Sequence, residues 1–312
     1  MSTKHINQYK TGFGRKIYLG EGNRFSNKIF TIFVYLFVLA FAIICFLPFW
    51  LVVINSFASE TSILRHGYML IPETFSLNAY SFVLSGEQVF RSYGITLFVT
   101  FVGTTLAVLV TTTFAYVLAH PKVKIRNILS FMTYFTMIFG SGLVGFYMLI
   151  ANWLHLKDSI WALILPYILN PFYVFILVSF FRTLPYEIYE AATIDGSNDI
   201  YTFFKIIWPI SLPAIATVLL FYALQFWNDW WLALLFIDNY KLHPLQIMIR
   251  RLLSSIDAQN YVAGSGSSYK IAVPSQSLRL SIVCLTIGPI ILLYPFVQKY
   301  FVKGMTIGAV KG

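Results

Sequence analysis

The chain has 312 residues, 58% of them hydrophobic and only 11% charged, with a formal net charge of +10. Soluble domains carry about a quarter charged residues, so a mean hydropathy of +0.73 excludes water as the only solvent. No basic cluster is interleaved with exposed aromatics, which argues against a nucleic-acid surface. Lipid headgroups account better for the positive excess, and an aromatic share of 18% suits the belts that Trp and Tyr form at membrane interfaces.

A helix needs roughly 20 apolar residues to cross the hydrocarbon core. Six runs meet that length, at 29–54, 94–119, 128–150, 160–181, 212–237 and 275–296. Lone strands would leave backbone groups unpaired in lipid. The predicted fold is therefore an all-α integral membrane protein with six transmembrane helices spread over residues 29–300. Residues 1–28 form a mostly polar cytosolic N-terminal segment. The first run exceeds a signal-peptide core and reads as a retained anchor. Cys45 and Cys284 fall inside the first and last runs, where lone thiols serve as small core residues rather than a disulfide framework. His5, His66, His120, His155 and His243 are scattered, without the spacing of a zinc site.

After the first run comes a long outer loop, 55–93. In the third run Gly140-Ser141-Gly142-Leu143-Val144-Gly145 satisfies the glycine pattern of dinucleotide sites. That pattern requires a preceding strand and a following helix in water. Inside an apolar run, close helix packing by small residues or a local break lining a cavity explains it better. In the fourth run, Asn170 next to Pro171 is a candidate cavity residue.

The loop at 182–211 is a polar island between two apolar runs. Its residues predict two short helices. Pro185 suits a first helical position, Ala191 and Ala192 favour helix, and Gly196 after Asp195 can take the left-handed conformation that ends one. Ser197 is the expected cap of the second helix, which carries Phe203, Phe204, Ile206 and Ile207 towards the membrane, and Pro209 and Pro213 punctuate the re-entry. Adjacent small alanines admit a close partner surface, and Glu190 offers an acceptor to a partner's Arg or Lys. The alternative is a plain amphipathic hairpin.

Asp229 lies within the fifth run, with Gln225, Asn228 and Trp230 nearby. A charge at the bilayer centre costs about 2.5–3.5 kcal/mol on insertion scales, so it should face the bundle or a wet cavity. Either this group contacts a substrate or gates its path, or it makes interhelical hydrogen bonds near the outer interface with Trp227, Trp230 and Trp231 as anchors. A second outer loop, 238–274, contains Gly264-Ser265-Gly266-Ser267-Ser268, which is either a flexible tip reaching a partner or a solvated connector. The chain ends in a cytosolic tail, 301–312.

With the N-terminus inside, fourteen Lys and Arg residues fall in inner segments and seven in outer ones. That bias predicts both termini in the cytosol and turns the Glu190 island to the same side. The sequence contains no GxxxxGK[ST] pattern, so ATP chemistry would belong to another subunit.

Glu190-Ala191-Ala192, three residues, Gly196, nine residues, then Ile206-Ile207-Trp208-Pro209 resembles the coupling signature of ABC importer membrane subunits, with Trp208 where that family has Leu. Asp195, Pro213 and Trp227-Asn228-Asp229-Trp230 resemble its carbohydrate branch. The ending from Lys303 to Gly312 resembles permeases for complex sugars and uronide oligosaccharides. The likeness covers about residues 29–312 and implies a type I ABC importer permease fold.

The resemblance implies docking of Glu190, Ala191, Ala192, Asp195, Gly196 and Pro209 onto an ATPase subunit, and a multi-pass place in the bacterial cytoplasmic membrane. The implied partners are a second, homologous permease, most readily as a heterodimer, two ATP-binding subunits and an extracytoplasmic solute-binding protein. It implies no catalytic site and no cofactor in this chain, with ATP and Mg held by the partner ATPases. Asn170, Gln225, Asn228, Asp229 and Trp230 are the substrate-pathway candidates, with neutral and acidic saccharides both open. The competing reading, an ion-coupled secondary transporter, needs intramembrane ionisable groups and often an internal repeat. Asp229 is the clear acid inside a run, and the two halves show no repeat.

Overall fold

The computed structural model describes residues 24–264 and 276–287, and among these every regular element is helical. One isolated antiparallel bridge joins Ala58 and Phe75 in the first outer loop. Residues 1–23 of the N-terminal segment, the loop tip 265–268, the end of the sixth run and the tail 301–312 lie outside the described residues.

Two helices are long and apolar enough to cross a membrane unaided. Helix α1 (Arg24–Ser56) contains a 27-residue apolar stretch, and α4 (Glu87–Ala119) has 33 residues. At 1.5 Å per residue each reaches about 40 Å or more. The loop between them folds into α2 (Glu60–His66) and α3 (Asn78–Leu84). From Phe30 to Trp50, α1 is exposed along its length within this chain. Cys45 is therefore exposed rather than a core residue, while Cys284 is half-buried with Sγ 3.9 Å from the Val52 carbonyl.

The third and fourth runs are bent and the fifth is interrupted, where the apolar pattern predicts continuous spans. The third run divides into α5 (Arg126–Ile138) and α6 (Gly142–Tyr147), which continues as a π-helical turn to Trp153, with a 117° bend between them. The break falls at Gly140-Ser141-Gly142, and Gly142 has φ +70°. Of the two accounts of that glycine pattern, the local break is the one observed. The fourth run bends by 44° between its 3₁₀ turns (Ile160–Leu163 and Leu165–Tyr167) and α7 (Pro171–Phe181). Pro171 cannot donate a helical hydrogen bond, and Asn170 caps the restart by accepting from Phe172 N–H at 3.0 Å.

The 182–211 island forms α8 (Glu187–Ile194), α9 (Asp199–Thr202), a π-helical turn (Phe203–Ile207) and α10 (Trp208–Ile210). It bends by 84° into α11 (Leu212–Asn228). The fifth run then leaves the helix at Asp229 and Trp230 and resumes as α12 (Trp231–Phe236), so it is not one helix to residue 237. Helix α13 (Leu245–Gly264) follows on the second outer loop, and α14 (Gln276–Ile287) is the described part of the sixth run.

Helix α4 is the hub, packed against both α7 and α11. Gly103, Ala107, Thr111 and Ala115 recur every four residues and are all buried, a small-residue stripe that lets helices approach closely. A Cβ on Gly103 would lie 2.8 Å from Cζ of Phe226 on α11, so the ring occupies the space a side chain would need. Lower on the same seam, Tyr222 is fully buried, its hydroxyl 2.6 Å from Thr111 Oγ1 and accepting from Asn170 N–H at 2.9 Å. Those bonds leave its buried polar atom satisfied.

Candidate functional site

The island's spacing has a direct geometric reason. Helix α8 ends when the Ser197 N–H reaches the Ala192 carbonyl at 3.0 Å and the Gly196 N–H reaches that of Thr193 at 3.1 Å. This is the Schellman closure, which needs a left-handed residue at the position after the cap. Gly196 supplies it with φ +76° and nothing within 4 Å of a would-be Cβ, so backbone conformation rather than crowding calls for glycine. Ala192 and Gly196 are thus fixed four apart by one hydrogen-bond pattern.

The cap of the next helix is Asn198, not Ser197: its Oδ1 accepts from Tyr201 N–H at 2.8 Å. Pro185 stands two residues ahead of α8, where its carbonyl accepts from Ile188 N–H at 3.3 Å. Glu187 and Glu190 sit in the first turn of α8, a favourable place for negative charge.

Helix α8 presents two faces. Tyr189 and Ala192 turn inward and are buried, whereas Glu190, Ala191, Asp195 and Gly196 are exposed. The alanine pair is therefore divided between the faces: Ala192 packs on the bundle and Ala191 lies on the free side. Beside Ala191, Ile194 is 84% exposed and Ile200 71%, with Tyr201 also exposed. Sequence reasoning missed these three. Their signal was present, since an apolar residue next to a helix stop or cap has no core to enter. Pro209 is exposed in α10 on the return to the membrane.

The inward face has an aromatic seat. The Tyr189 ring lies 6.2 Å from Tyr116 and 5.3 Å from His120 at the end of α4, and Tyr116 lies 4.8 Å from Phe203 and 6.3 Å from Phe181. All five side chains are buried. His120 Nδ1 accepts from Lys122 N–H at 3.2 Å, and burial pushes its pKa below the ordinary histidine value while Asp199 pulls it upward. The seat ties α8, α7 and the island's second arm to the last turn of α4.

The five pathway candidates separate into two groups. Asn170, Gln225 and Asp229 face the bundle. Asp229 Oδ1 accepts from Tyr167 OH at 3.0 Å, and the N–H groups of Trp231, Leu232 and Ala233 also turn onto its carboxylate. It thus sits at the start of α12, hydrogen-bonded to Tyr167. Asn170 is engaged with Phe172 and Tyr222 as described, and Gln225 Oε1 is buried without a hydrogen-bond partner. Asn228 and Trp230 point instead towards α13. Gln246 Nε2 lies 3.5 Å from Asn228 Oδ1, and the Arg250 guanidinium lies 3.7 Å from the centre of the Trp230 ring.

The described residues form a helical bundle with broken membrane-length runs and a rigid, apolar-tipped knob at one end. Residues 103–307 match the family described as binding-protein-dependent transport system inner membrane component, and the chain belongs to that family. It is 38% identical over 290 residues to the polygalacturonan/rhamnogalacturonan transport system permease protein YtcP of Bacillus subtilis, covering 92% of this chain and 100% of the relative. It is 40% identical over 293 residues to protein LplC of the same organism, covering 93% and 97%. Among solved structures it resembles a bacterial ABC transporter involved in the import of the acidic polysaccharide alginate. There the TM-score is 0.79 at 27% identity, covering 91% of this chain and 100% of the other. The chain is accordingly an ABC-transporter permease of the sugar-import group, which sets aside the ion-gradient reading.

Proposed function

We propose that this chain is one of two permease subunits of an ATP-driven importer for oligosaccharides, crossing the bacterial cytoplasmic membrane six times with both termini inside. The α8 knob seats in a cleft of an ATPase subunit. Glu190, Ala191, Asp195 and Gly196 lie on its free side with Ile194 and Ile200, Ala192 supports it from behind, and Pro209 adds an exposed contact on α10. The partner ATPases hold ATP and Mg, and closure of their pair swings the knob. A solute-binding protein delivers saccharide at the outer face, and the exposed flank of α1 meets lipid or a second, homologous permease. Chemistry is confined to the ATPases, and this chain supplies the path.

One observation carries the reading: an 84%-exposed isoleucine stands at the end of a short helix whose opposite face is locked into the bundle. An apolar side chain held out on a rigid support gains by being covered. The test is Gly196→Val in the assembled complex. A β-branched residue is strained at φ +76°, so the variant should co-purify with much less ATPase subunit and lose substrate-stimulated ATP hydrolysis. Wild-type stoichiometry and hydrolysis would remove α8 as the docking element. A maleimide label at Ile194→Cys should react from the cytosolic side only, and labelling from outside would invert the orientation.

A further inference from the structure

The outer break of the fifth run holds a group that the coupling account leaves unused. Helix α11 stops at Asn228, the chain is extended at Asp229, and α12 starts at Trp231. Non-helical backbone inside an apolar run is tolerated where it is covered by protein or lines a wet cavity. The Asp229 carboxylate settles the covered side, with Tyr167 and the α12 N–H groups on it. Asn228 and Trp230 fall on the other side, where Asn228 is exposed and Trp230 half-exposed.

Helix α13 completes that side. Gln246 and Arg250 stand four residues apart and so share one face. The Arg250 guanidinium lies over Trp230 at 3.7 Å. Among the described residues no carboxylate comes within the 4.0 Å of an ion pair with it. A guanidinium resting on an indole keeps its N–H groups in the plane of the fork, aimed away from the ring. That is the geometry with which arginine takes a carboxylate through two parallel hydrogen bonds. Asn228 and Gln246 add amide groups of the kind that pair with hydroxyls.

We propose that Arg250, oriented by Trp230 and flanked by Asn228 and Gln246, binds the carboxylate of an acidic sugar residue at the outer mouth of the transport path. The proposal rests on the importer reading above and extends it to the charge class of the saccharide. A neutral sugar would use the two amides and leave the guanidinium without a partner.

The experiment uses the whole importer, with its ATPases and binding protein, in proteoliposomes, and measures uptake per assembled complex. The probes are a trimer of galacturonic acid and a neutral galactose trimer. Arg250→Gln should raise the apparent KM for the acidic trimer at least tenfold, and Arg250→Lys, which keeps charge without the fork, should fall between. Arg251→Gln removes a neighbouring exposed cation that is not on Trp230 and should stay within twofold of wild type. An acidic-trimer KM in R250Q equal to that in R251Q overturns the proposal. Uptake of the neutral trimer alone by wild type also overturns it, while leaving the importer reading intact. An assembly that hydrolyses no ATP and takes up neither trimer sinks both.

Discussion

The two ends of the bundle are fastened by different chemistry. At the α8 end, five buried rings from four elements meet stacked, tilted or edge to face, and hydrogen bonds serve the turns rather than the joint. At the other end, carboxylates reach across the chain to helix starts. Glu60 on α2 accepts from Gln276 N–H at 3.0 Å, Ser277 N–H at 2.8 Å and Ser277 Oγ at 2.8 Å at the beginning of α14. Ring packing resists displacement in every direction and does not depend on a charged partner. A carboxylate on backbone N–H groups fixes register and direction through its individual hydrogen bonds. A part that must transmit a push gains from the first kind of joint, and loops that must keep their place gain from the second.

The largest effect should come from removing the ring at the centre of the seat. Truncating a buried aromatic to alanine costs about 3–5 kcal/mol, so Tyr189→Ala should unseat α8 and abolish ATP-dependent uptake. Tyr189→Phe keeps the ring and should transport normally. If Y189A retained normal uptake with the ATPase bound, the rings would be filling rather than a joint. Next in size is Glu60→Ala. Hydrogen bonds to a charged group are worth about 1.5–3 kcal/mol, and here one carboxylate serves three donors. The variant should lower the thermal midpoint of the purified subunit while leaving ATPase co-purification unchanged. Loss of the ATPase in E60A would mean that the ends are not independent.

A smaller effect tests the polar part of the inner end. Asn198→Ala removes the cap of α9 at a cost of about 1 kcal/mol. Because α9 is also held through Phe203, uptake should fall by less than half. A collapse of coupling comparable to Y189A would show that the turn, not the seat, carries the load.

How much of this was written in the residues differs between the ends. The Glu-Ala-Ala spacing gave α8, its glycine stop and its direction, because each is a local hydrogen-bond or backbone requirement. The division of Ala191 from Ala192 was not legible, since it depends on where Tyr116 and His120 lie in a helix seventy residues earlier. The breaks were half legible: glycines marked the one at Gly142 and Pro171 the one before α7. Hydropathy was silent at Asp229-Trp230, where the flanking Trp and Leu residues keep the run apolar. The Glu60 contact joins residues more than two hundred positions apart, and no local pattern announces it. Arg250 counted only as an outer-loop charge until the fold set it on Trp230.

The smallest predicted effect belongs to the outer turn at Asp158, and its sign follows from the direction of one pKa. His155 and Asp158 both have positive φ, at 51° and 57°, a conformation that Asp and His tolerate better than most residues. The turn is pinned when Asp158 Oδ1 accepts from Asp238 N–H at 2.7 Å and Asn239 N–H at 2.8 Å, with Lys157 Nζ 2.8 Å from Asp238 Oδ2. The backbone hydrogen bond from Asn239, more than any other cause, holds the Asp158 carboxyl below its ordinary pKa. A depressed carboxyl stabilises the fold above its unfolded pKa of about 3.9 and loses that contribution as pH falls through the lower folded value. The Lys157 ammonium is shifted the other way by its hydrogen bond to Asp238, so its own titration adds nothing on the acid side. Asp158 is fully exposed, which keeps the effect small. Thermal midpoints of wild type and Asp158→Asn, followed from about pH 5 downward, should converge as the carboxyl protonates. Parallel curves would show that the charge on Asp158 does not hold the turn.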